Sequence, residues 1–543
     1  LLILIVKEGE IIMKKTLAIA ITMLLSIAIF FVPRASMAQP IGEIKIGIIG
    51  PQALPTHWYP SGMWAGAELA ATEINASGGV YLSSGPNGAG YYSITLVKGH
   101  EHAYTGAGGT PEPAEAAAEM TRLCTIENCS IVIGGFRTEV VLPGIIPVAA
   151  STETPFLING ASTDNPQLTN ASIWPFIWRV NPVNSTMLFK TIAGALGGYL
   201  IPTKLNPLFG CDLDGNPLTM NQTRIAVVTE DLAWTLPIHG ALTTPSIYPT
   251  ILGPWANVTY AVRVPSTASD FSTYSQAIND SKCRLVIHVF SGPAGPGFIV
   301  KLGLDQVKAM KVGINVVGQV EQYTAMVSGL NDYESILNFA GTGTPIVPGV
   351  TDVFWDNFVG NYSTWPMYTA WGGYDGVRMV AEAYEDIGST DKNLLKTYFE
   401  DPSYQREGLN GHFKFTAGDN HDVFSNEYGP TWIQGYTRAM MVQWQVQSPT
   451  VGIMEVVCPV DQPYSKRWAI PPNMYPLVED INYDGRVDMR DVGTAARAFG
   501  TYPGHERWEK EADINFDNVV DMRDIGSIAR KFGTVVSLPV LPC

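Results

Sequence analysis

Residues 43–50, EIKIGIIG, are followed after a short loop by residues 62–79, GMWAGAELAATEINASGG. The first is a short apolar run ending in Gly-Pro, the pattern of a strand buried on both faces in a parallel sheet. The second spaces its apolar residues at helical intervals and stops at Asn75 and Gly78-Gly79, a C-terminal stop signal. The strand–turn–helix unit recurs: SIVIGG (130–135), TPFLING (154–160), RIAVVTE (224–230), RLVIHVF (284–290) and INVVGQ (314–319) read as further buried strands. Helical stretches such as DFSTYSQAIND (270–280) and GFIVKLGLDQVKAM (297–310) separate them. Such alternation predicts doubly wound α/β layers with right-handed crossovers. The pattern runs from about residue 43 to 458, too far for one sheet, so two lobes are expected. Ligands of such sheets sit outside the carboxyl ends of the strands, which puts the site in the cleft between lobes.

Composition agrees with a globular chain of more than one domain: 543 residues, 46% hydrophobic and 15% charged. A formal charge of −16 argues against a nucleic-acid partner, because phosphate contacts draw on clustered Lys and Arg. Met13-Lys14-Lys15 opens a basic segment, the apolar run TLAIAITMLLSIAIFFV follows, and Pro33-Arg34-ASMA closes it. This reads as an export signal cleaved after Ala38, with residues 1–12 an upstream extension; an uncleaved anchor helix is the alternative. No Cys follows the run, so no lipid anchor is indicated. Asn-x-Ser/Thr sequons at Asn75, Asn128, Asn170, Asn184, Asn221, Asn257, Asn279 and Asn361 suit an exported glycoprotein. Six cysteines allow 15 pairings, with Cys211–Cys283 preferred because both fall in one expected lobe. No GxSxG, HExxH, P-loop or GxGxxG signature stands at a strand-to-helix turn, so an enzyme is not expected.

The ordered set IKIGIIGPQA, GMWAGAELAATEINASGG, EVVLPGIIPVA, TPFLINGASTDNPQLT, FIWRVNP, GGYDGVRMVAEAYEDIGSTD, GLNGHFKF and GPTWIQGYTRAMMVQWQ resembles the type I periplasmic binding proteins. Within that group it is most similar to the branched-chain amino acid (Leu/Ile/Val) binding proteins of ABC transporters. The resemblance implies a body over 39–458 with two lobes joined by three hinge crossovers. Lobe 1 is expected near 43–165 and 351–427, and lobe 2 near 166–350 and 428–458.

A binder of a zwitterion needs donors for a carboxylate, an acceptor for an ammonium and a shaped apolar space. By resemblance, the loop Gly134–Thr138 supplies main-chain N–H groups and the Thr138 hydroxyl; Arg137 stands where relatives usually carry Ser. A guanidinium there either pairs with an anionic solute, points to solvent or braces the hinge. Gly160, Ala161, Ser162 and Thr163 correspond to the second contact loop, offering a carbonyl for the ammonium and hydroxyls for the carboxylate. Glu321, allowing a slip of one residue, corresponds to the acid facing the ammonium, and an exposed loop Glu is the plainer alternative. Tyr59 (with Trp58 beside it), Trp234 and Phe290 are candidate aromatic walls, although aromatics in α/β lobes more often belong to the core. Trp234 replaces the family's usual Tyr, so the Leu/Ile/Val preference does not carry over.

After Cys458 the chain becomes Pro-rich (459–478) and reads as a semi-stiff linker. Two repeats offset by 33 residues follow, over 479–533, before a tail of 534–543. In the first, Asp480, Asn482, Asp484, Asp488 and Asp491 occupy positions 1, 3, 5, 9 and 12, with the Arg486 carbonyl at position 7. Asp513, Asn515, Asp517, Asp521, Asp524 and the Val519 carbonyl repeat the set, with Asn518 in place of the turn glycine Gly485. Hard oxygens at this spacing wrap calcium, one ion per loop. One helix per loop and Asp at position 12 make the module similar to type I dockerin domains. That resemblance implies docking onto a cohesin-type domain through Met489-Arg490 and Met522-Arg523, with Arg497 and Arg530 nearby. The linker is expected to keep the calcium loops apart from solute capture.

The expected fold class is therefore α/β, two doubly wound lobes plus a small all-α calcium-loop domain. The expected function is capture of an amino acid or related small polar solute for an ABC permease, with the module as tether. A sensory receptor ectodomain and a glycosylated structural component remain the alternatives.

Overall fold

The structure is a computed structural model that describes residues 39–51, 62–101, 113–164, 168–205, 223–416, 420–424, 429–432, 435–475 and 477–535. The expected signal segment, Trp58, Tyr59, Cys211 and Cys543 lie outside the described residues.

Strand β1 (Gly42–Gly50) is central to the first sheet. It pairs in parallel with β3 (Gly88–His100) on one side and β4 (Ile131–Gly134) on the other. β2 (Val80–Gly85) turns back antiparallel on β3, and β5 (Phe156–Ile158) and β6 (Ile177–Arg179) complete the order β2-β3-β1-β4-β5-β6. Helix Met63–Ala76 ends as its glycines predict: Gly78 and Gly79 take positive φ, and the Gly79 N–H donates to the Ile74 carbonyl at 3.0 Å. The Asn75 amide then ties the helix end to β3, exchanging two hydrogen bonds with the Ile94 backbone at 2.9 and 2.8 Å. That side chain is committed to the fold, and so is Asn184, which is buried; neither sequon asparagine presents a free amide.

Helix Met63–Ala76 packs against the long helix Tyr368–Ile387, which returns from far along the chain. The contact is close because it is made of glycines: a Cβ on Gly66 would meet the Ala370 carbonyl oxygen at 1.9 Å, and one on Gly373 the Met63 oxygen at 2.2 Å.

The second sheet has seven strands, ordered β15-β14-β11-β10-β9-β7-β8. β7 (Thr223–Glu230), β8 (Ala256–Val264), β9 (Leu285–Phe290), β10 (Met310–Asn315) and β11 (Ser335–Asn338) run parallel. The antiparallel hairpin of β14 (Met440–Ser448) and β15 (Val451–Cys458) closes one edge. A small pair, β12 (Arg406–Gly408) and β13 (Gly411–Phe413), lies between the lobes in sequence. The chain passes between the sheets after β6, after β11 and before β14. Because β6 belongs to the first sheet, the first crossover lies beyond Arg179 rather than near residue 165.

The crossovers are fastened by buried polar side chains. The Arg179 guanidinium donates to the carbonyls of Ala161 and Thr163 and pairs with Asp422 at 3.0 Å, both side chains nearly inaccessible. Asn184 donates to the other Asp422 oxygen at 2.8 Å. Asn181 donates to Asn159, whose own amide reaches the Thr369 carbonyl of the long helix at 2.8 Å.

The segment expected as a linker is a packed strap. Trp468 and Ala469 are wholly buried, with Ile470, Met474 and Tyr475 close behind. Trp468 donates to the Ser335 hydroxyl at 2.8 Å, and Ala469 exchanges two hydrogen bonds of 3.0 Å with the Gln443 amide. Its prolines mark an irregular path, but its aromatic and aliphatic residues cover β11 and β14, which composition alone does not reveal. The terminal module has its own core of Ile481, Val487, Ala495, Trp508, Ile514, Val520 and Ile528. Helices Met489–Ala498 and Met522–Lys531 carry matching clasps: the Gly500 N–H donates to the Val520 carbonyl and the Gly533 N–H to the Val487 carbonyl, each at 2.8 Å.

Replacing Arg179 by Met leaves Asp422 buried without its cation. The expected cost is about 3–5 kcal/mol in urea denaturation, and adding Asp422→Leu to the same chain is expected to recover most of it. Equal stabilities for the single and double variants would contradict this account of the hinge.

Candidate functional site

Between the lobes lies a cavity of about 680 Å³, including its solvent-open mouth. Lobe 1 contributes Phe136, Arg137, Thr138, Glu139, Gly160 and Ser162; lobe 2 contributes Trp234, Ser291, Ile314 and Leu337, with Tyr368 of the long helix at the back. Its walls are mainly apolar and its polar groups few, as a small-molecule site requires.

Each polar group is placed by a strand end. Thr138 follows β4, and its buried hydroxyl has no hydrogen-bond partner among the described residues. The preceding loop amides are already used: the Gly135 N–H donates to the Ile49 carbonyl, and the Phe136 and Arg137 N–H groups donate to Glu101 at 2.6 and 2.8 Å. The Phe136 and Arg137 main-chain donors expected for a carboxylate are thus spent on Glu101, while the side chains of Arg137 and Thr138 line the cavity. Burial pushes the Glu101 carboxyl up to about 7, against the two amide hydrogen bonds that pull it down.

In the second loop only Ser162 and Gly160 line the cavity. The carbonyls of Ala161 and Thr163 turn instead onto Arg179, so the carbonyl expected for an ammonium group is already engaged. The Ser162 carbonyl accepts from the Ser185 N–H at 2.6 Å, and the Ser185 hydroxyl donates to the Trp234 carbonyl at 2.6 Å, coupling this loop to the aromatic wall. Phe290 does not face the cavity. It ends β9 on the opposite side of the sheet, packed 5.3 Å from Phe298, and alternation along the strand brings the next residue, Ser291, to the cleft. Glu321 is half-buried outside the lining, its carboxyl raised by burial, and Gln319 two residues earlier occupies the wall. Tyr59 falls outside the described residues.

Two features escape sequence reading. Glu230 is buried at the end of β7, where one oxygen accepts from the Ser291 N–H and hydroxyl at 2.7 and 2.8 Å. Burial raises its carboxyl, against hydrogen bonds from Ser291 and the Gly292 backbone that pull it down. Glu101 and Glu230 therefore do similar work in the two lobes: Glu230 holds the loop after the neighbouring strand β9, and Glu101 the loop after β4, two strands away. The second feature is Glu139, the acid of the lining, which accepts from the Ala233 N–H across the cleft at 3.3 Å. A buried Glu is not a patterned signal, and only its neighbours reveal it.

The calcium-type loops repeat one geometry. Asp480 accepts from the Asp484 and Gly485 N–H groups, and Asp513 from those of Asp517 and Asn518, at 2.8–3.1 Å. Asp491 accepts from Asn482 and Asp488, and Asp524 from Asn515 and Asp521. Asp488 and Asp521 also cap the two helices. Arg486 N–H donates to Asp484, and Val519 N–H to Asp517, at 3.1 Å, turning both carbonyl-bearing units along the loop. Among the described residues no group of three or more His, Cys, Asp or Glu side chains forms a ready-made metal cluster. Asp484 and Asp517 lean instead onto Arg490 and Arg523 at 2.6 and 2.7 Å. The donor set still fits a hard cation: Asp480, Asp491, Asp513 and Asp524 are buried, and among the described residues none has a salt-bridge partner. Asn482 and Asn515 and the position-7 carbonyls complete an all-oxygen set, and a bound cation would neutralise the buried carboxylates.

Two α/β lobes around one such cavity have the layout of a small-molecule binding site. The sequence profile described as periplasmic binding protein matches residues 43–428, and the chain belongs to that family, the substrate-binding component of ABC transporters. The dockerin type I domain profile, that of a calcium-binding module, matches residues 478–533. Among solved structures, the chain is similar to the branched-chain amino acid transporter substrate-binding protein LivJ from Streptococcus pneumoniae in complex with isoleucine. The two share 17% identity and a TM-score of 0.57 over 77% of this chain and 100% of that one. A leucine-binding protein LivK from Thermotoga maritima gives 15% and 0.55 over 77% and 100%. A solute-binding protein from Rhodopseudomonas palustris in complex with 3,4-dihydroxybenzoic acid gives 14% and 0.55 over 77% and 96%. No curated protein matches. No helix among the described residues is long and apolar enough to cross a membrane.

The raised Glu101 carboxyl makes a signed prediction. A carboxyl with a pKa of 4.5 unfolded and about 7 folded adds stability that is full below pH 4.5 and is lost as pH rises through 7. Relative to the native chain, Glu101→Gln is expected to flatten the dependence of melting temperature on pH across that window. Parallel profiles for the two proteins would refute it.

Proposed function

We propose that the body is an extracytoplasmic solute-binding protein that delivers a small carboxylate-bearing solute with an apolar body to an ABC permease. The observation that carries this reading is the buried Thr138 hydroxyl, unpartnered among the described residues and set beside Arg137 and Ser162 in a mainly apolar cavity. An anionic group is the chemistry such donors recognise, and Trp234, Phe136 and Tyr368 supply flat apolar surface for the rest. The isoleucine and dihydroxybenzoate held by the similar structures share that plan, a carboxylate on an apolar frame. An amino acid is favoured over a simple aromatic acid by Glu139 in the lining, a partner for an ammonium group in place of Glu321. The two calcium loops, one ion each, shape the terminal module, whose Met489 and Met522 are both 65% exposed and flank Arg490 and Arg523. This pair of surfaces suits a cohesin-type domain, which would hold the catcher outside the cytoplasm.

Isothermal titration of the mature chain with branched-chain amino acids and hydroxybenzoates tests the reading. One ligand of this panel is expected to bind, Thr138→Ala to weaken it roughly tenfold and Arg137→Ala more, as loss of a buried or charged donor implies. Tight binding that ignores both substitutions would overturn the assignment of the anion site.

A further inference from the structure

The strap and lobe 2 touch both calcium-type loops, and they touch them inside the ligand-bearing segments. In the first loop Tyr475 donates its hydroxyl to Asp480, Arg467 donates to the Ile481 carbonyl at 2.9 Å, and the Ile470 N–H donates to the Tyr483 hydroxyl at 3.4 Å. The Lys204 ammonium of lobe 2 lies 4.8 Å over the Tyr483 ring. In the second loop the Asn518 amide donates to the Gln447 carbonyl near the end of β14 at 3.2 Å. Just ahead of that loop, Lys510 pairs with Asp332 at 2.7 Å and lies 4.4 Å over the Tyr333 ring. Trp508, buried in the module core, donates to Gln445.

These contacts break the module's internal symmetry in an informative way. The two loops match at every ligand position, yet Gly485 of the first is Asn518 in the second, both with positive φ. Tolerance of left-handed backbone permits Asn there, but its amide is what reaches Gln447. Tyr483 and Phe516 differ in the same sense: the Tyr hydroxyl meets the strap, whereas Phe516 is exposed.

We infer that the calcium-type module is docked on lobe 2 and that cation binding and docking form one coupled equilibrium. The inference rests on the calcium reading of the loops. Loops rich in carboxylates keep their turn only when a cation offsets the charge. The groups that lobe 2 and the strap grip are the Asp480 carboxylate, the Ile481 carbonyl, the Tyr483 hydroxyl and the Asn518 amide. All four are in place only while the turns are formed. By linkage, a body that holds the turns tightens the loops for calcium, and calcium stabilises the body by the same factor. The module then presents the solute-binding lobes at a fixed angle to whatever it docks on, with Met489, Arg490, Met522 and Arg523 left exposed.

The test uses the mature full chain, calorimetric melting in calcium and in EDTA, and titration with calcium alone. The native chain is expected to melt several degrees higher in calcium, and proteolysis within 459–475 to appear only in EDTA. In a variant carrying Arg467→Ala, Lys510→Ala and Asn518→Gly, which keeps every loop ligand, calcium still binds but roughly five- to tenfold more weakly, and the body's melting no longer responds to it. Calcium binding with no effect on the native body's melting would overturn the coupling while leaving the calcium reading intact. No calcium binding at all would overturn both.

Discussion

Arg179 is the residue on which the architecture turns. Its guanidinium is buried at the first crossover, where it holds two carbonyls of the Ala161–Thr163 loop and pairs with Asp422 from the returning chain. Asn159 and Asn181 extend the same network to the long helix at Thr369. A hinge built from buried hydrogen bonds is satisfied only in a small set of arrangements, because each unmade bond leaves a costly desolvated group. The orientation of the lobes, and with it the cavity between them, follows from that constraint.

The cleft reflects the same economy. Arg179 takes the carbonyls that flank Ser162, and Glu101 takes the amides that precede Thr138, so few polar groups are left to meet a solute. The polar side chains that line the cavity include the Thr138 and Ser162 hydroxyls, the Arg137 guanidinium, the Glu139 carboxylate and the Gln319 amide, set in apolar walls. Glu230 supports Ser291 in lobe 2 as Glu101 supports the Phe136–Arg137 loop in lobe 1, so the two faces of the cavity are stiffened by buried carboxyls of matching role.

The terminal module belongs to the same mechanical unit as the body. Trp468 fills a place in the core beside Ser335, and from there the strap leads directly into the first loop through Tyr475. What composition presents as a tether is a bracket, and the module's two-fold pattern is conserved in its core while broken where it meets lobe 2.

Much of this was legible in the sequence. Period and punctuation gave the alternating strands and helices, because a strand buried on both faces and an amphipathic helix leave different apolar spacings. The repeated Asp/Asn spacing located both loops, since ligands of one ion must come from a short stretch of chain. The positions of Arg137, Thr138, Ser162 and Trp234 around one cavity were also anticipated, being tied to strand ends. Other features depended on partners distant in the chain. Whether Phe290 or Ser291 faces the cleft was a matter of sheet face, and whether the Ala161 carbonyl is available was decided by Arg179. The strap's burial and the grip on Asn518 required lobe 2 to be present. Local spacing determines which elements form; which polar groups stay unpartnered, and so able to bind, is decided only when residues hundreds of positions apart compete for them.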